Sequence, residues 1–254
     1  MLRKQILSQL LLSLVFPLAA GAVPTAPSGL SAAQVIDKSV AAMGGLQAWR
    51  AVQTISYSGK MEAGGKQNTQ LPVLLELKRP HKSRVEIEFQ NAKAIQVYDG
   101  AKGWKYRPYL GRTDAEPFSA EELQVSSTEP DLDGPLVDYA SKGTKVNLEG
   151  VEKVEGRDAY KLKLALKGGK VRHVWIDTQS FLEVKIEGAP RRMDGRMRQV
   201  EIYYRDYKDV NGLKVPHVLE TSVQGVKRSY KMVFATVLVN PKLDDSLFVA
   251  PKGP

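Results

Sequence analysis

The stretch LPVLLELKRPHKSRVEIEFQNAKAIQVYDGAKGWKYRP, Leu71 to Pro108, decides how the rest of this sequence is read. Leu71, Val73, Leu75 and Leu77 fall on one side of an extended chain, and Val85, Ile87 and Phe89 alternate with Arg84, Glu86 and Glu88. A period of two marks strands with one buried face. Pro80 has no N–H to give to a ladder and biases Arg79 toward an extended backbone, so Arg79 should end one strand just before the chain reverses. Its parity is that of the leucines. Ile95 and Val97 begin a third strand, and the turn in YDGAKGW returns the chain into Trp104 and Tyr106. The expectation is an antiparallel meander with Leu75, Leu77, Val85, Ile87, Val97 and Trp104 on one apolar side.

Upstream, Ser31 and Gln34 make a capping-box pattern that opens a helix through about Met43, with Ile36, Val40 and Met43 as its stripe. Gly44-Gly45 interrupts it, Leu46 and Trp49 continue a short helical turn, and a strand follows from Val52 to Met61, closed by a hairpin turn at Gly64-Gly65. Downstream the alternation stops. Ser119 to Glu122 is a second capping box, and Gly134 to Tyr139 is predicted to start another short helix with Pro135 at its first position and Gly143 as a C-terminal cap. These two helices either plug one end of the sheet or form a movable cover over its apolar face, and pattern alone favours the plug.

From Lys145 the strands resume near Lys145 to Leu148, Tyr160 to Leu166, Val171 to Ile176, Leu182 to Glu187, Met197 to Tyr207, Leu213 to Val223 and Lys227 to Val237. Tyr160, Leu162, Leu164 and Leu166 are read as inward, with Lys161, Lys163 and Lys167 outward. Val174, Ile176, Leu182, Val184 and Ile186 are likewise read as inward, against Arg172, Glu183 and Lys185. So many short strands curl rather than lie flat, which makes the fold mainly β with a few helices, in a barrel or half-barrel. The closing LDDSLF, Leu243 to Phe248, is expected to tack onto the body.

The N-terminus carries Arg3 and Lys4, an apolar run from Ile6 to Ala20 and Ala20-Gly21-Ala22, the pattern of a signal peptide cleaved after Ala22. A linker over 23–30 and one domain over 31–254 are expected to follow. With no cysteine, the chain has no disulfide, thiolate metal site, cysteine nucleophile or acylated cysteine. The formal charge is +9, and losing Arg3 and Lys4 with the signal lowers it by two. In an exported protein such a surface suits anionic head groups or acidic proteins rather than nucleic acid, and a solvated basic face with no partner fits it equally well.

Recognisable chemistry is sparse. His81, His173 and His217 are scattered, and no HExxH, P-loop, GxSxG or GxGxxG occurs, so neither a metal nor another cofactor is expected, and no enzyme. Asp131, Asp133 and Asp138 lack EF-hand spacing and suit helix entry better than calcium. Arg79 is the exception. An arginine aimed into an apolar interior is costly unless its guanidinium finds acceptors, such as the free carbonyls of a cover or a ligand head group, or unless it escapes to solvent at the rim.

Four motifs, in order, carry a family resemblance: LKRPHKSRVEI (Leu77 to Ile87), YDGAKGWKYRP (Tyr98 to Pro108), the Gly134-Pro135-Leu136 start and LDDSLFVAPKG (Leu243 to Gly253). Together they resemble the LolA-type carriers that sort outer-membrane lipoproteins. The resemblance implies an incomplete antiparallel β-barrel around a hydrophobic cavity with a helical lid. It also implies that Arg79 ties the closed lid by hydrogen bonds and gates entry. The implied role is a periplasmic, monomeric carrier that takes acyl chains of lipoproteins or other lipids from an inner-membrane transporter to an outer-membrane receptor. Leu75, Leu77, Arg79, Val85, Ile87, Val97, Trp104, Pro135, Leu136 and Tyr139 are then the expected ligand contacts. Extra strand material between Lys145 and Glu187 and the basic charge set this chain apart from the compact carriers. The alternative is an envelope sensor or interaction module whose basic face, with Lys161, Lys163, Lys167, Arg172 and Lys185, binds an acidic partner or an anionic lipid surface.

Overall fold

The computed structural model describes residues 29–62, 69–89, 91–129 and 131–252. The expected signal segment and its cleavage point, the linker up to residue 28 and the Gly64-Gly65 turn lie outside them. The strands are β1 (Thr54–Glu62), β2 (Gln70–Lys78), β3 (Lys82–Phe89), β4 (Ala92–Tyr98), β5 (Gly103–Tyr106), β6 (Glu116–Pro117), β7 (Lys145–Val154), β8 (Arg157–Ala165), β9 (Val171–Asp177), β10 (Glu183–Met193), β11 (Arg196–Val210), β12 (Leu213–Val223) and β13 (Tyr230–Val239). They make one antiparallel sheet in the order β6-β5-β4-β3-β2-β1-β13-β12-β11-β10-β9-β8-β7. Two meanders are therefore joined where the first strand pairs with the last, and β6 and β7 remain free edges. The sheet curls without closing, an open barrel.

The alternation sets the concave face. Tyr57 stands opposite Leu75 on one side and Val237 on the other, and Leu75 stands opposite Val85. Ile55, Val73, Leu162, Val174 and Ile186 continue one buried core on this side. Helix α1 (Ala32–Ala42) and helix α2 (Leu46–Ala51) lie within the concavity. Val35, Ile36, Val40 and Trp49 join the same core. Both predicted capping boxes form, at Ser31 for α1 and at Ser119 for α3 (Ala120–Ser126), because each satisfies two otherwise orphaned N–H groups. Gly44 lets the α1–α2 connection meet the β11–β12 turn, since a Cβ there would sit 2.5 Å from the Gly212 carbonyl oxygen.

Four expectations are corrected. The Gly134 to Tyr139 segment is a run of turns rather than a helix, because Gly134 and Asp138 take φ of 74° and 53°, which no α-helix accommodates. On β9, Arg172 pairs with Leu164 and so shares the concave face of Val174, buried at 6 % exposure. On β10 a register shift between Glu183 and Lys185 turns Glu183 inward opposite Ile176, while Val184 packs with Val154, Ala159 and Trp175 in a separate cluster. Finally, Val97 pairs with Arg84 and with Trp104, so both apolar residues lie on the convex face, opposite to Val85 and Ile87. There the C-terminal segment covers the sheet: Arg84 donates to the Leu247 carbonyl at 2.9 Å, Lys78 to that of Leu243 at 2.7 Å, and Phe248 is buried.

Candidate functional site

The turn-rich loop 131–144 spans the concavity, and its apolar side chains fill much of it. Leu132, Leu136 and Val137 are buried in the main core, with Tyr139 packed against it. Between this loop and the sheet remains a cavity of about 260 Å³, walled by Trp49, Leu75, Leu77, Leu132 and Leu219 among others. Small-molecule sites usually enclose about 300–1,000 Å³. The cavity lies just below that range.

Charged ties from the barrel rim hold the loop down. The Arg79 Nη2 donates to Asp133 Oδ2 at 2.7 Å and to the Trp49 carbonyl at 3.3 Å, and its Nε donates to the Val52 carbonyl at 2.8 Å. Arg79 thus clamps the α2–β1 connection and the loop together. Asp133 is 2 % exposed at its side chain and receives a second cation, Lys142 Nζ, at 2.6 Å. Arg50 on α2 grips Asp138 through two bonds of 2.9 and 2.6 Å, which holds that carboxyl below its usual range. His81 donates from Nε2 to the Ser126 carbonyl at 2.9 Å and places Nδ1 3.5 Å from Asp131. Two acceptors facing both ring nitrogens raise the imidazole pKa, chiefly through Asp131, and His81 in turn lowers that of Asp131. The three aspartates read from the sequence as helix-entry residues instead pair with basic side chains: Asp131 with His81, Asp133 with Arg79 and Lys142, and Asp138 with Arg50.

The cavity also has a polar floor. Glu183 is 5 % exposed, and neither a hydrogen bond nor an ion pair reaches its carboxyl among the described residues. Burial pushes that carboxyl up to about 7, with Lys142 opposing. Tyr57, Tyr204 and Tyr207 line the same cavity, and burial raises all three phenols well above the ordinary value. The Tyr207 hydroxyl donates to the Glu183 backbone carbonyl at 2.9 Å, and Tyr57 and Tyr204 line the cavity beside it.

Of the ten expected contact residues, the cavity gathers Leu75 and Leu77 directly, with Arg79 clamping its cover. Val85 and Ile87 pack against the same core from β3. Leu136 and Tyr139 line a neighbouring hollow of about 400 Å³ between the loop and the α1–α2 pair, and Pro135 lines another beside His81 and Lys142. Val97 and Trp104 stand away on the convex face. Sequence reasoning missed Glu183, because the β10 register shift has no signature in composition, and it missed Tyr57, although its parity with Ile55 was there to be followed. Asp206, at φ 52°, interrupts β11 between Tyr204 and Tyr207, which both reach the cavity although three positions apart.

No protein-family model matches this sequence, and no curated protein does. Solved structures do match. A LolA superfamily protein from Nitrosomonas europaea aligns with a TM-score of 0.55 at 16 % identity over 85 % of this chain and 97 % of its own. A putative outer membrane lipoprotein-sorting protein domain from Vibrio parahaemolyticus aligns with a TM-score of 0.56 at 14 % identity, over 85 % and 95 %. The open barrel with its covering loop is thus the LolA-like fold.

Proposed function

We propose that this protein is a carrier that takes acyl chains of lipoproteins, or of another lipid, into the space between the concave sheet and the 131–144 loop. The observation that carries this reading is the loop itself: apolar side chains occupy the concavity, yet the loop is fastened by separable charge pairs instead of being continuous with the sheet. An entering chain replaces Leu132 and Leu136 with its own methylenes. At roughly 0.8 kcal/mol per buried CH₂ a long chain binds tightly, so release requires a gate. Arg79 with Asp133 is that gate. The sorting domain from Vibrio parahaemolyticus supports the choice of cargo by its description. In this reading the protein works in the periplasm as a single-domain monomer, and its export with cleavage behind Ala22 rests on the N-terminal sequence pattern. The donor and acceptor in this reading are an inner-membrane transporter and an outer-membrane receptor.

The test is to purify the mature protein from a bacterial envelope, extract it and identify bound lipid or lipoprotein by mass spectrometry, then measure uptake of a fluorescent acyl probe by the wild type and Arg79→Leu. Bound acyl chains, and faster exchange of the probe in the variant, are expected. An empty protein that takes up no probe would overturn the carrier reading.

A second reading, docking on an anionic lipid surface, is favoured by the β10–β11 hairpin. Arg191, Arg192 and Arg196 are exposed near its tip, and Arg191 stands directly opposite Arg198. Like charges across a ladder repel. The face first expected to do this is largely neutralised: Lys161 pairs with Glu152 at 2.6 Å and Lys185 with Glu201 at 3.0 Å, while Arg172 is buried beside Glu129. Docking of this kind complements a carrier rather than replacing it.

A further inference from the structure

The polar floor of the cavity says more about the cargo than the apolar walls do. Resting on the carrier reading, we infer that Glu183, with the phenols of Tyr57 and Tyr204, receives the hydrogen-bond-donating head of a single-chain amphiphile, an amine or a hydroxyl, whose chain lies along Leu75, Leu77 and Leu219.

Three observations converge on this. First, Glu183 is a residue only 5 % exposed that lines the cavity, and no hydrogen bond or ion pair reaches its carboxyl among the described residues, so its oxygens are left to whatever fills the cavity. Secondly, the cations nearby are engaged elsewhere: Lys142 holds Asp133 and the Gly134 carbonyl, Arg79 holds Asp133, and Lys214 lies 3.6 Å from Asp209. Above about pH 7, where this carboxyl is ionised, it only accepts hydrogen bonds, so a partner there must donate. Thirdly, the Tyr57 and Tyr204 hydroxyls, each able to donate and accept, share the wall with it, while Tyr207 fixes the backbone carbonyl of Glu183.

The loop participates as well. A Cβ at Gly134 would come within 3.8 Å of Glu183 Oε1, so the backbone of the cover passes directly over the carboxyl. Seating the loop seals the head group, and lifting it uncovers Glu183. The same arrangement turns away a ligand that brings its own carboxylate or phosphate to this end, because two like charges would then share one desolvated site.

The experiment compares decylamine, decanol and decanoate, which share one chain, as competitors of a fluorescent acyl probe at about pH 8, where a free carboxylic acid is ionised. Wild type, Glu183→Gln, Glu183→Leu and Tyr204→Phe are measured, with circular dichroism confirming the fold of each. In the wild type the amine and the alcohol should compete about ten-fold or more better than the carboxylate. Glu183→Leu should erase that ratio, Glu183→Gln should keep preference for the alcohol while losing that for the amine, and Tyr204→Phe should reduce the ratio. Equal competition by all three in the wild type, or an unchanged ratio in folded Glu183→Leu, overturns the inference while leaving the carrier reading standing. If none of the probes binds any of the proteins, both fail together.

Discussion

Individual ionisable residues make the closed state sensitive to pH, and the signs can be worked out. His81 is raised above its ordinary 6.5 by Asp131, so its tie to the loop is complete below that value and is lost as pH rises through the raised one. Glu183 acts in the same direction. Burial lifts it from 4.5 to about 7, so the folded protein retains a proton that the unfolded chain releases, and stability falls as pH climbs across that interval. Asp131 and Asp138 are lowered instead, so their ties persist until pH falls through their depressed values. Amide hydrogen exchange of residues 131–144, corrected for its intrinsic base-catalysed rise, should therefore quicken from about pH 4.5 to 7 through Glu183 and above about pH 6.5 through His81. His81→Gln and Glu183→Gln should each flatten part of that slope. Exchange rates that follow only the intrinsic base-catalysed increase would show that neither group controls the loop.

Among the elements, the β1–β13 ladder is the most demanding join, since it alone stitches the two meanders into one wall. It bulges between Ser58 and Gly59, where the strands approach so closely that a Cβ on Gly59 would sit 2.0 Å from the Val233 carbonyl oxygen and 2.7 Å from the Phe234 Cα. Both are backbone atoms and cannot step aside as a flexible side chain would. Gly59→Ala should accordingly cost about 3 kcal/mol or more in urea denaturation. Gly156→Ala, in the β7–β8 turn with open space around its Cβ but φ of 82°, should cost only about 1–2 kcal/mol of backbone strain. Equal losses would mean that the ladder yields at Gly59.

On the scale of the whole molecule, charge is distributed so that the lysines of the β8–β10 outer surface are paired while the far end of the β10–β11 hairpin is not. Sedimentation with anionic vesicles at low salt should thus depend on Arg191, Arg192 and Arg196: replacing all three by serine should abolish it, whereas replacing Lys161, Lys163 and Lys185 should not, and about 0.5 M salt should suppress the wild type. Binding that survives the arginine replacement would remove the hairpin from consideration. The sequence by itself determined the strands, the two capped helices and the apolar face of β2 and β3, because periodicity and capping are local and each residue there reports its own environment. It also marked Arg79 as a residue in need of acceptors. Tertiary structure alone decided what those acceptors are, since Trp49, Val52 and Asp133 lie 27 to 54 positions away, and it decided that Asp138 holds a left-handed turn in place of a helix under the grip of Arg50. It likewise moved Val97 and Trp104 to the convex face and Glu183 into the cavity, because the pairing register between strands, and a single extra residue in it, reverses which side a side chain faces.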